Sequence, residues 1–205
     1  MPYSACVHVV DDDDAVRDSL AFLLTSSDLV AKTYASGDEF LGALPMDSIG
    51  CIVTDIRMPG LSGIDLIREL RRRGMDTPVI VITGHGDVPL AVEAMKLGAF
   101  DFLEKPFDDD ALVASVKAAL RQTHSQRKSG EEKAEIQRRI AALSGRERDV
   151  LKGLIAGHAN KVIAADLEIS PRTVEIYRAN IMTKMQANSL SELVKMVVTC
   201  GEALD

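Results

Sequence analysis

Five short apolar runs, each followed by a stretch with helical periodicity, fill the first 120 residues and leave few folds open. Val7 to Val10 precedes Ala15 to Ser26, Ala31 to Tyr34 precedes Asp38 to Leu44, and Cys51 to Thr54 precedes Ile64 to Arg73. Val79 to Ile82 is followed by Val88 to Leu97, and Phe100 to Leu103 by Asp109 to Leu120. Runs that are apolar on both faces and separated by helices belong to a parallel sheet covered on both sides. The expected fold is an α/β doubly wound five-stranded parallel sheet, for which about 120 residues suffice.

The pattern changes after residue 121. Residues 122–140 are polar and charged, with Ser125, Ser129 and Gly130 among Lys, Arg, Glu and Gln, and read as a linker. Glu135 and Arg139 have the i,i+4 order that supports a helix, so the linker can prolong the preceding helix, although Gly130 counts against it. Residues 141–205 are purely helical in pattern. Ser144-Gly145-Arg146-Glu147 is a capping box that opens a helix ended by Gly157. Asn160 to Leu167 forms a short helix, and Glu168-Ile169-Ser170 joins it to a helix with Pro171 at its first position. Ser189 starts a last helix, which gives an all-α four-helix domain containing a helix-turn-helix.

Charge divides in the same place. Residues 1–120 carry 20 acidic and 10 basic side chains, whereas residues 121–205 carry 11 and 14, within a net charge of −7. An acidic module beside a mildly basic one suggests different partners, and the basic one can attract phosphate backbones. Cys6, Cys51 and Cys200 are odd in number and far apart, which excludes a disulfide framework and a metal knuckle, so all three are expected to be reduced. No stretch approaches the roughly 20 apolar residues of a bilayer span. The start, Met1-Pro2-Tyr3-Ser4, lacks the basic and apolar regions of a secretory signal, so a cytoplasmic location and no membrane partner are expected.

Polar residues cluster where the apolar runs end: Asp11 and Asp12 after the first, Asp55 after the third, Thr83 after the fourth and Lys105 after the fifth. In doubly wound sheets the carboxyl ends of the strands form the ligand crevice, so these residues converge there. Three carboxylates in one crevice repel one another unless a cation joins them, and hard oxygen ligands suit Mg²⁺. Asp55 can then act as a carboxylate nucleophile forming an acyl phosphate, with the Thr83 hydroxyl as donor and Lys105 as cationic clamp. Asp13 and Asp14 read as a solvated loop or as acids at a helix N-terminus. His85, between Gly84 and Gly86, has no second ligand beside it and reads as a loop residue; influence on acyl phosphate hydrolysis is its other open role.

Asp11-Asp12, the segment Thr54-Asp55-Ile56-Arg57-Met58-Pro59-Gly60, Thr83-Gly84 and Lys105-Pro106-Phe107 together resemble the receiver domain of bacterial two-component response regulators, over residues 1–121. The resemblance implies a flavodoxin-like strand order of 2-1-3-4-5. It implies that a sensor histidine kinase phosphorylates Asp55, and that Asp12, Asp55 and the backbone carbonyl of Arg57 ligate Mg²⁺, with Asp11 acting largely through water. Lys105 would pair with the phosphoryl group, and Lys105-Pro106 would share the family's cis peptide. Thr83 and Phe102 occupy the family's switch positions; packing in the core explains a strand Phe102 equally well.

In the second module, Val174, Tyr177, Ile181 and Met185 form one helical stripe toward a core. The opposite face carries Arg172, Glu175, Ile176, Ala179 and Thr183, small or polar enough for a major groove, with Arg178 at its flank within reach of phosphate. A helical bundle that binds protein would share this periodicity. Leu143-Ser144-x-Arg146-Glu147, Gly157-x-Ala159-Asn160-Lys161-x-Ile163-Ala164 and Ile169-Ser170-x-x-Thr173-Val174-Glu175 are similar to the LuxR-type DNA-binding domain. The resemblance makes Lys161, Arg172, Thr173, Glu175, Ile176, Arg178 and Ala179 the expected DNA contacts. Glu175 departs from the basic residue many members carry. Leu190, Leu193, Val194, Val197 and Val198 offer more apolar surface than a small bundle needs, and the family pairs this helix on inverted-repeat DNA.

The whole is identified as a two-domain response regulator and transcriptional activator, not an enzyme, in which phosphorylation relieves inhibition by the receiver or drives dimerisation, and which recruits RNA polymerase at promoter DNA. The segments Ile82 to Asp87 and Phe100 to Phe107 resemble the nitrogen-fixation branch of the family, which implies an oxygen-responsive kinase and nitrogen-fixation target genes. The face Val88 to Leu97 with Asp101 to Leu103 is the expected phospho-dimer contact. Two rivals stand beside this. Asp12-x-Asp14-x-Val16 fits the DxDx[TV] pattern of haloacid-dehalogenase-like phosphatases, with Asp12 as nucleophile, but leaves Asp55 and the helix-turn-helix unexplained. A phosphorylation-gated adapter would instead use the helical module to bind protein.

Overall fold

In the computed structural model the described residues are 6–44, 49–84 and 88–201. His85 and residues 1–4 therefore lie outside them. The chain divides into two units, residues 1–126 and 127–205. In the first, β1 (Cys6–Val10), β2 (Ala31–Tyr34), β3 (Ile49–Asp55), β4 (Val79–Thr83) and β5 (Asp101–Glu104) form a parallel sheet in the order β2-β1-β3-β4-β5. α1 (Asp14–Ser26), α2 (Gly37–Ala43), α3 (Gly63–Arg72), α4 (Val88–Lys96) and the first part of α5 (Asp109–Ala141) accompany it. The flavodoxin-like expectation is met.

Strand alternation assigns each side chain to a face. Val7 and Val9 with Cys51, Val53, Ile80 and Ile82 pack against Leu20 and Leu24 of α1 and Leu112 and Val116 of α5. Val10, Ile52, Val79 and Val81 pack on the other side against Phe40 of α2, Leu66, Ile67 and Leu70 of α3, and Ala94 of α4. Each fully buried aliphatic side chain contributes about 1.5–3 kcal/mol, so both faces hold the sheet. His8 is fully buried on β1, bonded through Nδ1 to Tyr34 Oη at 3.0 Å and stacked on the Tyr34 ring. Burial first, then the Lys32 charge, lowers its pKa to about 4 and keeps it neutral.

Short polar caps start the helices, each worth about 1 kcal/mol. Asp13 accepts from the N–H groups of Ala15 and Val16, Ser36 from Glu39, and Ser62 from Asp65. α5 does not stop at Leu120: the polar stretch expected as a linker is helical through Gly130 to Ala141, 33 residues in all. Its i,i+4 pairs Arg127 with Glu131 and Glu135 with Arg139 support the helix across and beyond the single glycine.

In the second unit α6 (Gly145–Ile155), α7 (Asn160–Asp166), α8 (Pro171–Met185) and α9 (Leu190–Cys200) close over Leu143, Val150, Leu151, Leu154, Ile163 and Val174, with Ile181 and Leu193 behind them. The capping box at Ser144 and Glu147 is formed in both directions. Lys184 adds an ion pair to buried Glu147 at 2.7 Å. Cys6, Cys51 and Cys200 form no disulfide, the first two are buried, and burial pushes the Cys51 thiol up to about 12. Among the described residues no helix is long and apolar enough to cross a membrane.

Candidate functional site

The register of the sheet sets the expected site residues at one level. Val10 pairs with Thr54, Asp55 with Ile82 and Thr83 with Glu104, so Asp11, Asp55, Thr83 and Lys105 meet at the carboxyl edge. Lys105 Nζ donates to Asp55 Oδ1 at 2.9 Å and to Asp11 Oδ2 at 3.3 Å. The backbone N–H of Lys105 donates to the Thr83 carbonyl at 2.8 Å, which fixes the root of that side chain. The Lys105-Pro106 peptide is cis. The second oxygen of Asp55 accepts from the Arg57 backbone N–H at 2.7 Å.

Electrostatics explain why the cluster needs a cation. Asp11 is 2% exposed, and burial raises its pKa against the opposing pull of the Asp13 N–H and Lys105. Burial also works against the Lys105 ammonium, but its hydrogen bond and charge interaction with Asp55 prevail and raise its pKa. Lys105 is the cation that joins the two carboxylates in this state.

Two further expected members lie outside the Lys105 hydrogen bonds. Asp12 is exposed and lines, with Arg57, Met58, Ser62 and Arg68, a groove of about 730 Å³ beside the cluster. Thr83 is buried, and its hydroxyl donates to the Gly84 carbonyl at 2.9 Å instead of facing Asp55. Phe102 is 44% exposed, so it serves no core in this state and the packing explanation for it falls away. Among the described residues no three carboxylate, imidazole or thiol side chains are gathered closely enough to hold a metal together. The donors that the sequence offers, two or three carboxylates and a backbone carbonyl, are hard oxygen ligands of the kind Mg²⁺ takes while keeping several waters. The residues therefore fit that ion in chemistry.

Sequence reasoning passed over Gly63 and Arg17. A Cβ on Gly63 would lie 2.3 Å from the Asp55 backbone oxygen, so the start of α3 can approach the site only without a side chain. Its one sequence signal is its place after the Ser62 cap. Arg17 Nη1 donates to the Asp11 carbonyl at 2.6 Å.

In the helical unit α8 buries Val174, Ile181 and Met185 and half-buries Tyr177. Arg172, Glu175, Ile176 and Ala179 are exposed, Ile176 at 56%, and Lys161 is exposed on α7. Arg178 and Thr173 are half-buried. Thr173 is engaged in the cap, its N–H donating to Ser170 Oγ at 3.1 Å and its hydroxyl 2.8 Å from the same atom. Glu168, in the turn between α7 and α8, has φ +53°. On α9, Leu193 and Val197 are core residues while Val198 is 65% exposed.

The response regulator receiver domain family matches residues 7–117, and the LuxR family of bacterial regulatory proteins matches residues 141–197. The chain belongs to the FixJ-type two-component response regulators. It is 61% identical to the transcriptional regulatory protein FixJ of Azorhizobium caulinodans over 204 residues, 99% of this chain and 96% of that one. The solved structure of full-length FixJ from B. japonicum is 54% identical and matches with a TM-score of 0.61, covering 96% and 97% of the two chains. That of the response regulator StyR is 40% identical with a TM-score of 0.86, covering 94% and 98%. These relatives are regulators along their whole length, which sets aside both the phosphatase and the adapter. Such a regulator takes its phosphoryl group from a kinase and acts on DNA, and receiver domains generally bind Mg²⁺ for phosphorylation.

Proposed function

We propose that this regulator is phosphorylated on Asp55 by a FixL-like, oxygen-responsive sensor histidine kinase in the cytoplasm and then activates nitrogen-fixation promoters. The chain then divides into a receiver at 1–121, a linker at 122–140 and a DNA-binding domain at 141–205. One observation carries it: Asp55 is held at the sheet edge by Lys105 on one oxygen and by the Arg57 N–H on the other. A carboxylate fixed in this way is pre-oriented for in-line attack.

One Asp55 carboxylate oxygen forms the new P–O bond as the P–N bond of the donor phosphohistidine breaks, and the imidazole leaves with the electron pair. Asp12, Asp55 and the Arg57 carbonyl would hold Mg²⁺, with Asp11 acting through water, and the ion when bound offsets charge on the transferring phosphoryl group. Lys105 keeps its ammonium beside the Asp55 oxygen and passes from the carboxylate to the phosphoryl group. The Thr83 hydroxyl leaves the Gly84 carbonyl for a phosphoryl oxygen, and Phe102 gives up its exposed position for the space vacated. That change reshapes the face of α4 and β5, where Val92 and Met95 are exposed, and two receivers pair. Paired α9 helices then set two α8 helices on an inverted repeat, with Arg172, Lys161 and Arg178 on phosphates, Glu175, Ile176 and Ala179 at base edges, and Thr173 contributing from the cap; RNA polymerase is recruited there.

Intact-mass measurement after incubation with a small acyl phosphate and Mg²⁺ tests the chemistry. The expected result is a single phosphate adduct on the wild type, absent in Asp55→Asn and strongly reduced in Asp12→Asn. An adduct that survives in Asp55→Asn would overturn the assignment.

A further inference from the structure

We infer that Arg17 is a positioning residue for phosphorylation: by gripping the Asp11 carbonyl it fixes the peptide joining Asp11 to Asp12, and so sets the direction in which the Asp12 carboxylate leaves the backbone. The inference rests on the reading of Asp12 and Asp55 as cation ligands.

Arg17 lies on α1, one turn after the acidic run, with only 13% of its side chain exposed. Arginine is seldom buried to that extent without a specific partner. Here it has two. Nη1 donates to the Asp11 carbonyl oxygen at 2.6 Å, and Nη2 pairs with the Asp14 carboxylate. The carbonyl of Asp11 and the N–H of Asp12 share one rigid plane, so a grip on the oxygen fixes both. The rest of the turn is tied from other directions. Asp11 Oδ1 accepts from the Asp13 N–H at 2.9 Å, and Asp13 Oδ1 caps α1 through Ala15 at 2.8 Å and Val16 at 3.3 Å. Between these anchors the Asp12 side chain stands exposed at the groove that Ile56 and Arg57, the residues after Asp55, also line. A planar guanidinium serves two oxygens at once, which an ammonium cannot do with the same geometry.

The sign of the effect separates positioning from charge. Removing a cation beside an acidic pocket strengthens binding of another cation if charge alone matters. Loss of an outer residue that orients a ligand weakens it, by about 10-fold to 100-fold. The test is calorimetric titration of MgCl₂ into the full, unphosphorylated chain, for wild type, Arg17→Met, Arg17→Lys and Asp12→Asn, with circular dichroism to establish folding. The expected result is Mg²⁺ binding by wild type, its loss in Asp12→Asn, and binding about 10-fold weaker in folded Arg17→Met. Should Arg17→Met not fold, Arg17→Lys decides: binding several-fold weaker supports the inference and wild-type binding overturns it. With Asp12→Asn behaving as expected, an Arg17→Met affinity equal to or above wild type overturns the role of Arg17 alone. A wild type without Mg²⁺ binding, or Asp12→Asn that binds like wild type, overturns the reading of the pocket itself and this inference with it.

Discussion

A methyl group on Gly63 would meet backbone, not a side chain that can swing away, and the backbone is that of Asp55, the proposed phosphoacceptor. Gly63→Ala must displace either α3 or the end of β3. Overpacking of this kind costs about 1–3 kcal/mol, and the displaced end carries Asp55. Chemical denaturation should show the loss, and intact-mass time courses with an acyl phosphate should show slower uptake than wild type. Glu147 gives a pH-dependent counterpart. Its pKa is lowered first by the hydrogen bond from Lys184, then by the Ser144 N–H. A depressed folded pKa means stability present above the ordinary carboxylate value and lost as pH falls through the folded one. Glu147→Gln is thus expected to lower stability by about 1–2 kcal/mol at pH 7, with the difference shrinking below about pH 4. Thermal melts of the two proteins at several pH values check it. Asp55 and Lys105 were legible in the sequence because each is a polar residue that ends an apolar run. Gly63 and Arg17 were not, because their roles are approaches between segments that no local pattern encodes.

Elements were legible where periodicity and caps agree, as at Ser144 and Ser170. The polar continuation of α5 was harder to read, since it has no apolar stripe before Ile136 and depends on pairs between its own side chains. Connections between elements hide another device. Arg71, at the end of α3, donates through Nη1 to the carbonyls of Met75 at 2.6 Å and Thr77 at 3.2 Å, and through Nη2 to Gly98 at 2.7 Å. It thereby ties α3, the approach to β4 and the turn between α4 and β5. Arg71→Lys keeps the charge but cannot span three carbonyl oxygens with one ammonium. A loss of about 1–2 kcal/mol is expected from the unmade bonds. Hydrogen exchange should place that loss at residues 75–78 and 96–99; uniform exchange across the receiver would refute the tie.

For the whole molecule, net charge and DNA recognition pull in opposite directions. A chain of net charge −7 is repelled by a polyanion, and the excess of basic residues lies only beyond residue 120. Binding must then come from a few fitted contacts, which the proposed dimer would double. Each phosphate neutralised contributes about −0.9 to the slope of log K against log salt. Arg178 is half-buried at the flank of α8 and Glu175 and Ile176 are exposed; the proposed complex puts the first on phosphate and the other two at base edges. The two classes separate by what substitution changes. With phosphorylated dimer on an inverted-repeat promoter duplex, Arg178→Ala should weaken binding to matched and mismatched duplexes alike, and should reduce the salt slope by about 2, one unit per protomer. Glu175→Ala should leave the slope unchanged and lower discrimination between bases by about 1–3 kcal/mol at one position in each half-site. Fluorescence anisotropy across 50 to 200 mM salt, roughly the range over which such contacts are read, distinguishes them. A slope unchanged by Arg178→Ala would remove that residue from the backbone contacts, and unchanged base discrimination in Glu175→Ala would leave readout to Ile176 and Ala179, through apolar contact with thymine methyl groups.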